Sequence, residues 1–305
     1  MKAKRPDLET IGARMDALGL WKELAPYNFA LKPRGTVFPY FCTILPGDEG
    51  GPVKARFLML EGWQTLHDYV RTRYDRNFGF YSSPLEFPHY ELVVLVDGSV
   101  KAFRYDTGFM PQEITDEAVR AFVAKLLWES FGVFLRVEGD RALPLKFAEG
   151  RAVFARVENE KGEWTDEPLP IPDPPPHKET VSFPKGLLQA AKDLPLVTDE
   201  TWELDFRLTL KLMTQEPRPR TVYELVAFAG KSGEKLFERR VTLTNDGGLR
   251  SLWETMPAQV LREIVRLGKV PGEIRVKSGR VFRMMRPLCL ELPFKLSLHD
   301  RLERL

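Results

Sequence analysis

Five cationic residues near one end of the chain have the types and spacing for anion chemistry: Arg275, Lys277, Arg280, Arg283 and Arg286. Arg280, Arg283 and Arg286 recur at near-helical intervals beside a strand end, which lines them along one side of a helix. Guanidinium forks suit phosphate and carboxylate oxygens, so the series is a candidate polyanion site, for nucleic acid or for an acidic protein surface. A solvated helix face is the plainer alternative. Other chemistry-bearing residues do not assemble. Gly230-Lys-Ser-Gly233 lacks the upstream glycine of a phosphate-binding loop and reads as a turn. No Gly-x-Ser-x-Gly elbow is present. His67, His89, His177 and His299 are scattered without metal-ligand spacing, and Cys42 and Cys289 sit far apart in apolar runs, as buried reduced thiols do. No catalytic residue and no cofactor is expected on these grounds.

Charge gives the arginine series its weight. The whole chain of 305 residues carries 45 Lys+Arg against 43 Asp+Glu, a formal +2. Residues 1–216 hold 27 basic and 33 acidic side chains, whereas residues 217–305 hold 18 and 10, a step from −6 to +8. Thirteen of those 18 cations are arginine, the side chain suited to oxyanion forks. A hydrophobic content of 43% and this length predict an ordinary globular protein of two domains. Met1-Lys-Ala-Lys-Arg-Pro6 has no apolar stretch behind it and no run of 18 apolar residues follows, so a cytoplasmic protein without a membrane span is expected.

The elements that must position these residues fall either side of a proline run. Glu167-Pro-Leu-Pro-Ile-Pro-Asp-Pro-Pro-Pro-His177 removes backbone donors and reads as an extended spacer. The expected division is an acidic α+β domain over 1–165, a linker over 166–178 and a basic α/β domain over 179–305. In the first, Asp7 and Gly19 bracket a helix carrying Leu8, Ile11, Met15 and Leu18. Strands are expected at Val37–Leu45, Val53–Leu60, Tyr90–Val96 and Val100–Tyr105, with Asp97-Gly98 as a hairpin turn. Thr115 is read as the cap of a helix with Val119, Phe122, Val123, Leu126 and Leu127 on one face. Val133–Val137, Leu143–Phe147 and Ala152–Val157 read as short strands.

In the second, Pro184–Leu194 suits a helix. Trp202, Leu204, Phe206, Leu208, Leu210 and Leu212 alternate with polar residues as one half-buried strand. Strands follow at Tyr223–Ala229 and Lys235–Leu243, then a helix over Leu249–Leu267 interrupted by Pro257, a strand Glu273–Lys277, a helix Arg280–Leu292 and a strand from Phe294 to Leu298. Tyr90-Glu-Leu-Val93 recurs as Tyr223-Glu-Leu-Val226, each opening a hairpin that precedes a helix, so an internal duplication is weighed against the commonness of that unit.

This β-β-β-α-β-α-β order resembles that of the ribonuclease-H-like fold, over about residues 200–300. The resemblance implies metal-binding carboxylates on the first strand, the first helix and the end of the fourth strand. Asp205 takes the first place and Glu254 or Glu263 the second, but Lys277-Ser278 stands in the third, where a cation repels metal. A degenerate, non-catalytic binding domain is therefore the leading expectation, and a metal-dependent phosphodiesterase or nuclease using Asp205, Glu254 and Glu263 is the alternative. Phe103-Arg-Tyr-Asp-Thr-Gly-Phe-Met-Pro111, the following helix, the spacer and the C-terminal strands together resemble uncharacterised two-domain bacterial proteins, which supply no activity.

Overall fold

The computed structural model describes residues 7–19, 28–47, 49–74, 86–143, 151–173, 180–209, 218–243 and 248–304. The architecture is mixed α and β, with two sheets and, among the described residues, six helices. Contacts divide the chain into two compact units. The first takes residues 1–67, 87–106 and 111–175. The second takes 68–86, 107–110 and 176–305. Two short stretches of the N-terminal half thus belong with the C-terminal unit.

In the first unit, helix α1 (Leu8–Leu18) is capped by Asp7, whose carboxylate accepts from Thr10 N–H at 2.8 Å, and closed by Gly19 at φ 60°. Strands β1 (Asn28–Lys32), β2 (Tyr40–Pro46), β3 (Val53–Glu61), β4 (His89–Leu95), β5 (Val100–Tyr105), β6 (Gln112–Glu113), β7 (Ala152–Glu158) and β8 (Trp164–Pro170) form one sheet in the order β6-β5-β4-β3-β2-β1-β7-β8. Helix α2 (Gly62–Tyr74) lies between β3 and β4 in the chain, and α3 (Glu117–Gly139) between β6 and β7. Ile11 and Met15 of α1 and Val123, Leu126, Leu127 and Phe134 of α3 pack on Phe29, Cys42, Phe57, Met59 and Leu92 of the strands.

Four expectations change here. Asp116 rather than Thr115 caps α3, accepting from Val119 N–H at 2.9 Å. Val133–Val137 is not a strand but the last turns of α3: Ser130, Phe131, Phe134 and Val137 continue the buried stripe of Val123 and Leu127, and that burial overrides β-propensity. Strand β1 was hidden by its brevity. The start of the proline run is β8, paired antiparallel with β7. Pro168 and Pro170 stand two apart, so their missing donors fall on the side away from β7, while Ile171 N–H reaches Arg151 O at 2.6 Å. Residues 144–147, 174–178 and 210–217 of the expected strands, spacer and turn lie outside the described residues.

In the second unit, α4 (Lys185–Lys192) precedes β9 (Leu196–Thr209), β10 (Val222–Ala229), β11 (Lys235–Thr242), α5 (Gly248–Leu267), β12 (Val270–Val276), α6 (Gly279–Glu291) and β13 (Lys295–Leu298). The sheet order is β11-β10-β9-β12-β13, with β10 antiparallel to its neighbours and β12 parallel to both of its own. Pro257 and Pro287 sit inside helices without ending them. Strand β9 is not half-buried as its alternation implied: from Trp202 to Phe206 every residue is buried, Glu203 and Asp205 included. Segment 107–110 joins this unit through Met110 N–H to Pro219 O and Thr221 N–H to Gly108 O, both 2.9 Å, with the Phe109 ring 4.5 Å from the Arg218 guanidinium.

Candidate functional site

Strands β9 and β12 run parallel at the centre of the second sheet. From its carboxyl end β9 leads to β10 on one side, and β12 leads through α6 to β13 on the other. The two strands thus leave that end in opposite directions, and the carboxyl ends of such strands are the usual ligand position in open α/β sheets. Asp205 and Arg207 lie towards that end of β9, Arg275 and Lys277 towards that of β12, and α6 begins there with Ser278 as its cap.

Strand alternation sorts these side chains. Trp202, Leu204 and Phe206 face the helices, the Phe206 ring lying 4.8 Å from Trp253 of α5. Glu203, Asp205 and Arg207 therefore share the opposite face, with Glu224 opposite Arg207 and Arg240 opposite Glu224. The result is a chain of alternating charge across four strands. Lys277 Nζ stands 3.2 Å from Asp205 Oδ2, Arg207 3.7 Å from the same oxygen and 3.2 Å from Glu224, and Arg240 3.9 Å from Glu224. Neither cation meets Oδ2 with hydrogen-bond geometry, so this contact is one of charge rather than direction. Side-chain exposure is 3% for Asp205 and 7% for Glu224 but 35% for Lys277, 44% for Arg207 and 53% for Arg240. The acids lie underneath and the cations form the outer layer.

Two flanking acids are also engaged. Glu203 accepts the backbone N–H groups of Glu303 at 3.2 Å and Arg304 at 2.8 Å. Burial pushes the Glu273 carboxyl up, but the Ser297 hydroxyl, Lys295 and Arg275 outweigh it and hold the group down at about 2. Arg275 is thereby tied to Glu273 at 2.9 Å.

The five expected anion-binding residues separate accordingly. Lys277 and Arg275 lie on the charged face, each with a carboxylate partner. Arg280 is 2% exposed, its guanidinium 3.9 Å from the Trp253 ring in the helical layer, so it is not the solvated helix position that its spacing implied. Arg283 is half-buried and Arg286 exposed. The three carboxylates of the metal alternative are each held separately. Asp205 faces Lys277; Glu263 pairs with Arg239 and Arg266, both at 2.6 Å; Glu254 accepts from Thr180 N–H and Arg250, both at 3.0 Å. Among the described residues no group of three His, Cys, Asp or Glu is arranged to hold a metal.

Sequence reasoning missed Arg207, Glu224 and Arg240. The available signal was charge at every second position of β9, Glu203-x-Asp205-x-Arg207, with the charged Glu224 on the neighbouring strand, which marks a polar sheet face.

Residues 187–305 match the family described as a domain of unknown function, DUF6930. That match spans β9 to β13 and hence the whole charged face. No curated protein and no solved structure matches the chain.

Proposed function

We propose that this is a non-catalytic binding protein whose C-terminal unit, ribonuclease-H-like in element order, contacts nucleic acid through the cations at the carboxyl ends of β9 and β12. One observation carries the reading: Lys277 Nζ lies 3.2 Å from Asp205 Oδ2, so a fixed ammonium charge occupies the neighbourhood where an enzyme of that class needs a divalent ion. The sheet with β9 and β12 parallel at its centre supports the fold assignment. The outward layer of Arg207, Arg275 and Lys277, with Arg283 and Arg286 on α6, supplies phosphate contacts, while Arg280 stiffens α6 against Trp253. The domain division we infer keeps an acidic N-terminal unit and a basic C-terminal one, with Asp166–Pro170 of the expected linker counted in the first as part of β8 and residues 68–86 and 107–110 counted in the last.

The test is calorimetric titration of the full chain with Mg²⁺ and Mn²⁺, followed by incubation with single- and double-stranded DNA, RNA and hybrid. The expected result is no specific metal site and no cleavage. Metal-dependent cleavage abolished by Asp205→Asn overturns the reading in favour of a phosphodiesterase. Binding to acidic proteins but to no nucleic acid moves the same surface to a protein partner.

A further inference from the structure

A second feature of the C-terminal unit lies away from the charged sheet face. Residues Thr180, Ser182, Phe183 and Pro184 form one wall of a groove of about 500 Å³, and Ser251, Glu254, Thr255, Ala258, Gln259 and Arg262 of α5 form the other. That volume falls within the range of small-molecule and cofactor sites. We propose that this groove binds a nucleoside monophosphate.

The lining divides into the parts such a ligand needs. Thr180 N–H is fixed to Glu254 Oε1 at 3.0 Å, so the extended wall starts at Glu254. Eight helical residues on, about 12 Å along the axis, comes Arg262. The wall advances in the same direction, because beyond α4 the carbonyl of Pro195 accepts from Val270 N–H, just past the end of α5. Four residues reach at most about 14 Å, so Pro184 and Arg262 both lie on the side of the groove away from Thr180 and Glu254. One end of the groove therefore has an exposed guanidinium suited to a phosphate. The α4 N-terminus at Pro184 has no side-chain cap, so its first N–H groups add to the positive potential there.

The other end has a carboxylate. Both of the bonds that Glu254 makes to Thr180 and Arg250 fall on Oε1, which leaves Oε2 as an acceptor for the exocyclic amine of adenine or cytosine. Phe183, on the wall facing α5, supplies the groove's aromatic ring for base stacking. The Thr255 hydroxyl and the Gln259 amide, one turn apart on α5 between Glu254 and Arg262, and Ser182 on the facing wall line the middle, where a ribose would lie. A free inorganic anion would use the Arg262 end alone, and an apolar ligand would leave the hydroxyl row unpaired; a nucleotide uses both ends and the middle.

The experiment is saturation-transfer NMR and calorimetry on the full chain with AMP, adenosine, CMP, UMP, ribose 5-phosphate and inorganic phosphate. AMP and CMP should bind, UMP about tenfold more weakly because its base offers Glu254 no amine, and ribose 5-phosphate weaker by about tenfold or more for loss of the stack. Phe183→Ala should weaken AMP by a similar factor, Arg262→Gln should abolish the advantage of AMP over adenosine, and Glu254→Gln should remove the preference for CMP over UMP. Circular dichroism of each variant checks that the unit still folds. Absence of AMP binding at millimolar concentration overturns the proposal, as does ribose 5-phosphate matching AMP, or AMP affinity unchanged in Phe183→Ala and Arg262→Gln. Because Lys277 and Asp205 take no part, Lys277→Ala should leave AMP affinity unchanged, and this separates the groove from the charged face.

Discussion

Replacing Lys277 with Ala exposes the energetics of the charged face. Asp205 is 3% exposed in its side chain, and its Oδ2 has Lys277 at 3.2 Å and Arg207 at 3.7 Å. Removing one partner of a fully buried ion pair costs about 3–5 kcal/mol, since the remaining charge is left without compensation. Two features reduce that here. Lys277 is 35% exposed, so water already screens part of the attraction, and Arg207 stays near the same oxygen. The expected loss is about 1–2 kcal/mol, which is roughly a tenfold change in the folding equilibrium. Asp205→Asn should cost less, because Lys277 is 35% exposed and already partly hydrated. In the double variant the two losses should not add, leaving a coupling energy of about 1 kcal/mol. Urea unfolding of the four proteins, followed by circular dichroism at constant ionic strength, gives the cycle. If Lys277→Ala is neutral or stabilising and the coupling is zero, Asp205 is not held by this lysine and the degenerate-site argument fails.

Two further outcomes follow from particular contacts. His89 is buried and stacked 4.2 Å from Tyr105, and burial lowers its pKa to about 4 despite the Phe87 carbonyl 2.6 Å from Nδ1. The neutral form is favoured when folded, so its stabilising contribution is fully present above about pH 6.5 and is lost as pH falls towards 4; His89→Gln should flatten that part of a stability–pH profile. Phe109→Ala removes the ring beside Arg218 and Arg220, 4.5 and 5.6 Å away, and should destabilise by about 1–3 kcal/mol, read as a lower urea midpoint. An unchanged midpoint would show that segment 107–110 does not contribute to the C-terminal unit.

Much of the fold was legible because local signals and burial agreed. Asp7 and Gly19 bracket α1 as read, Asp97-Gly98 lies in the turn from β4 to β5, though Val96 joins that turn, and the elements from β10 to β13 lie within a few residues of their patterns, whereas β9 begins at Leu196, well before Trp202. The failures share a cause: a local preference lost to tertiary context. Val133 and Val137 are β-branched yet helical because α3 needs their volume in the core. The prolines of β8 are tolerated because an edge strand leaves every second donor unused. Arg280 looked like a surface cation because helical spacing reports which side of a helix a residue is on, not whether a tryptophan covers that side. For the site, the type of residue at Lys277 was informative and its partner was not, since pairing to Asp205 depends on the parallel register of β9 and β12, which no local pattern encodes.

The most direct test of the binding account is the salt dependence of affinity for a labelled oligonucleotide, measured by fluorescence anisotropy on the full chain. If about four cations of the charged face and α6 contact phosphates, log affinity against log salt should fall with a slope of about −3 to −4. Arg283→Ala with Arg286→Ala should reduce that slope by about two for every sequence tried, whereas Arg280→Ala, which removes a buried stacking residue, should lower stability and leave the slope unchanged. Absence of binding at low salt, or a slope near zero, contradicts the account.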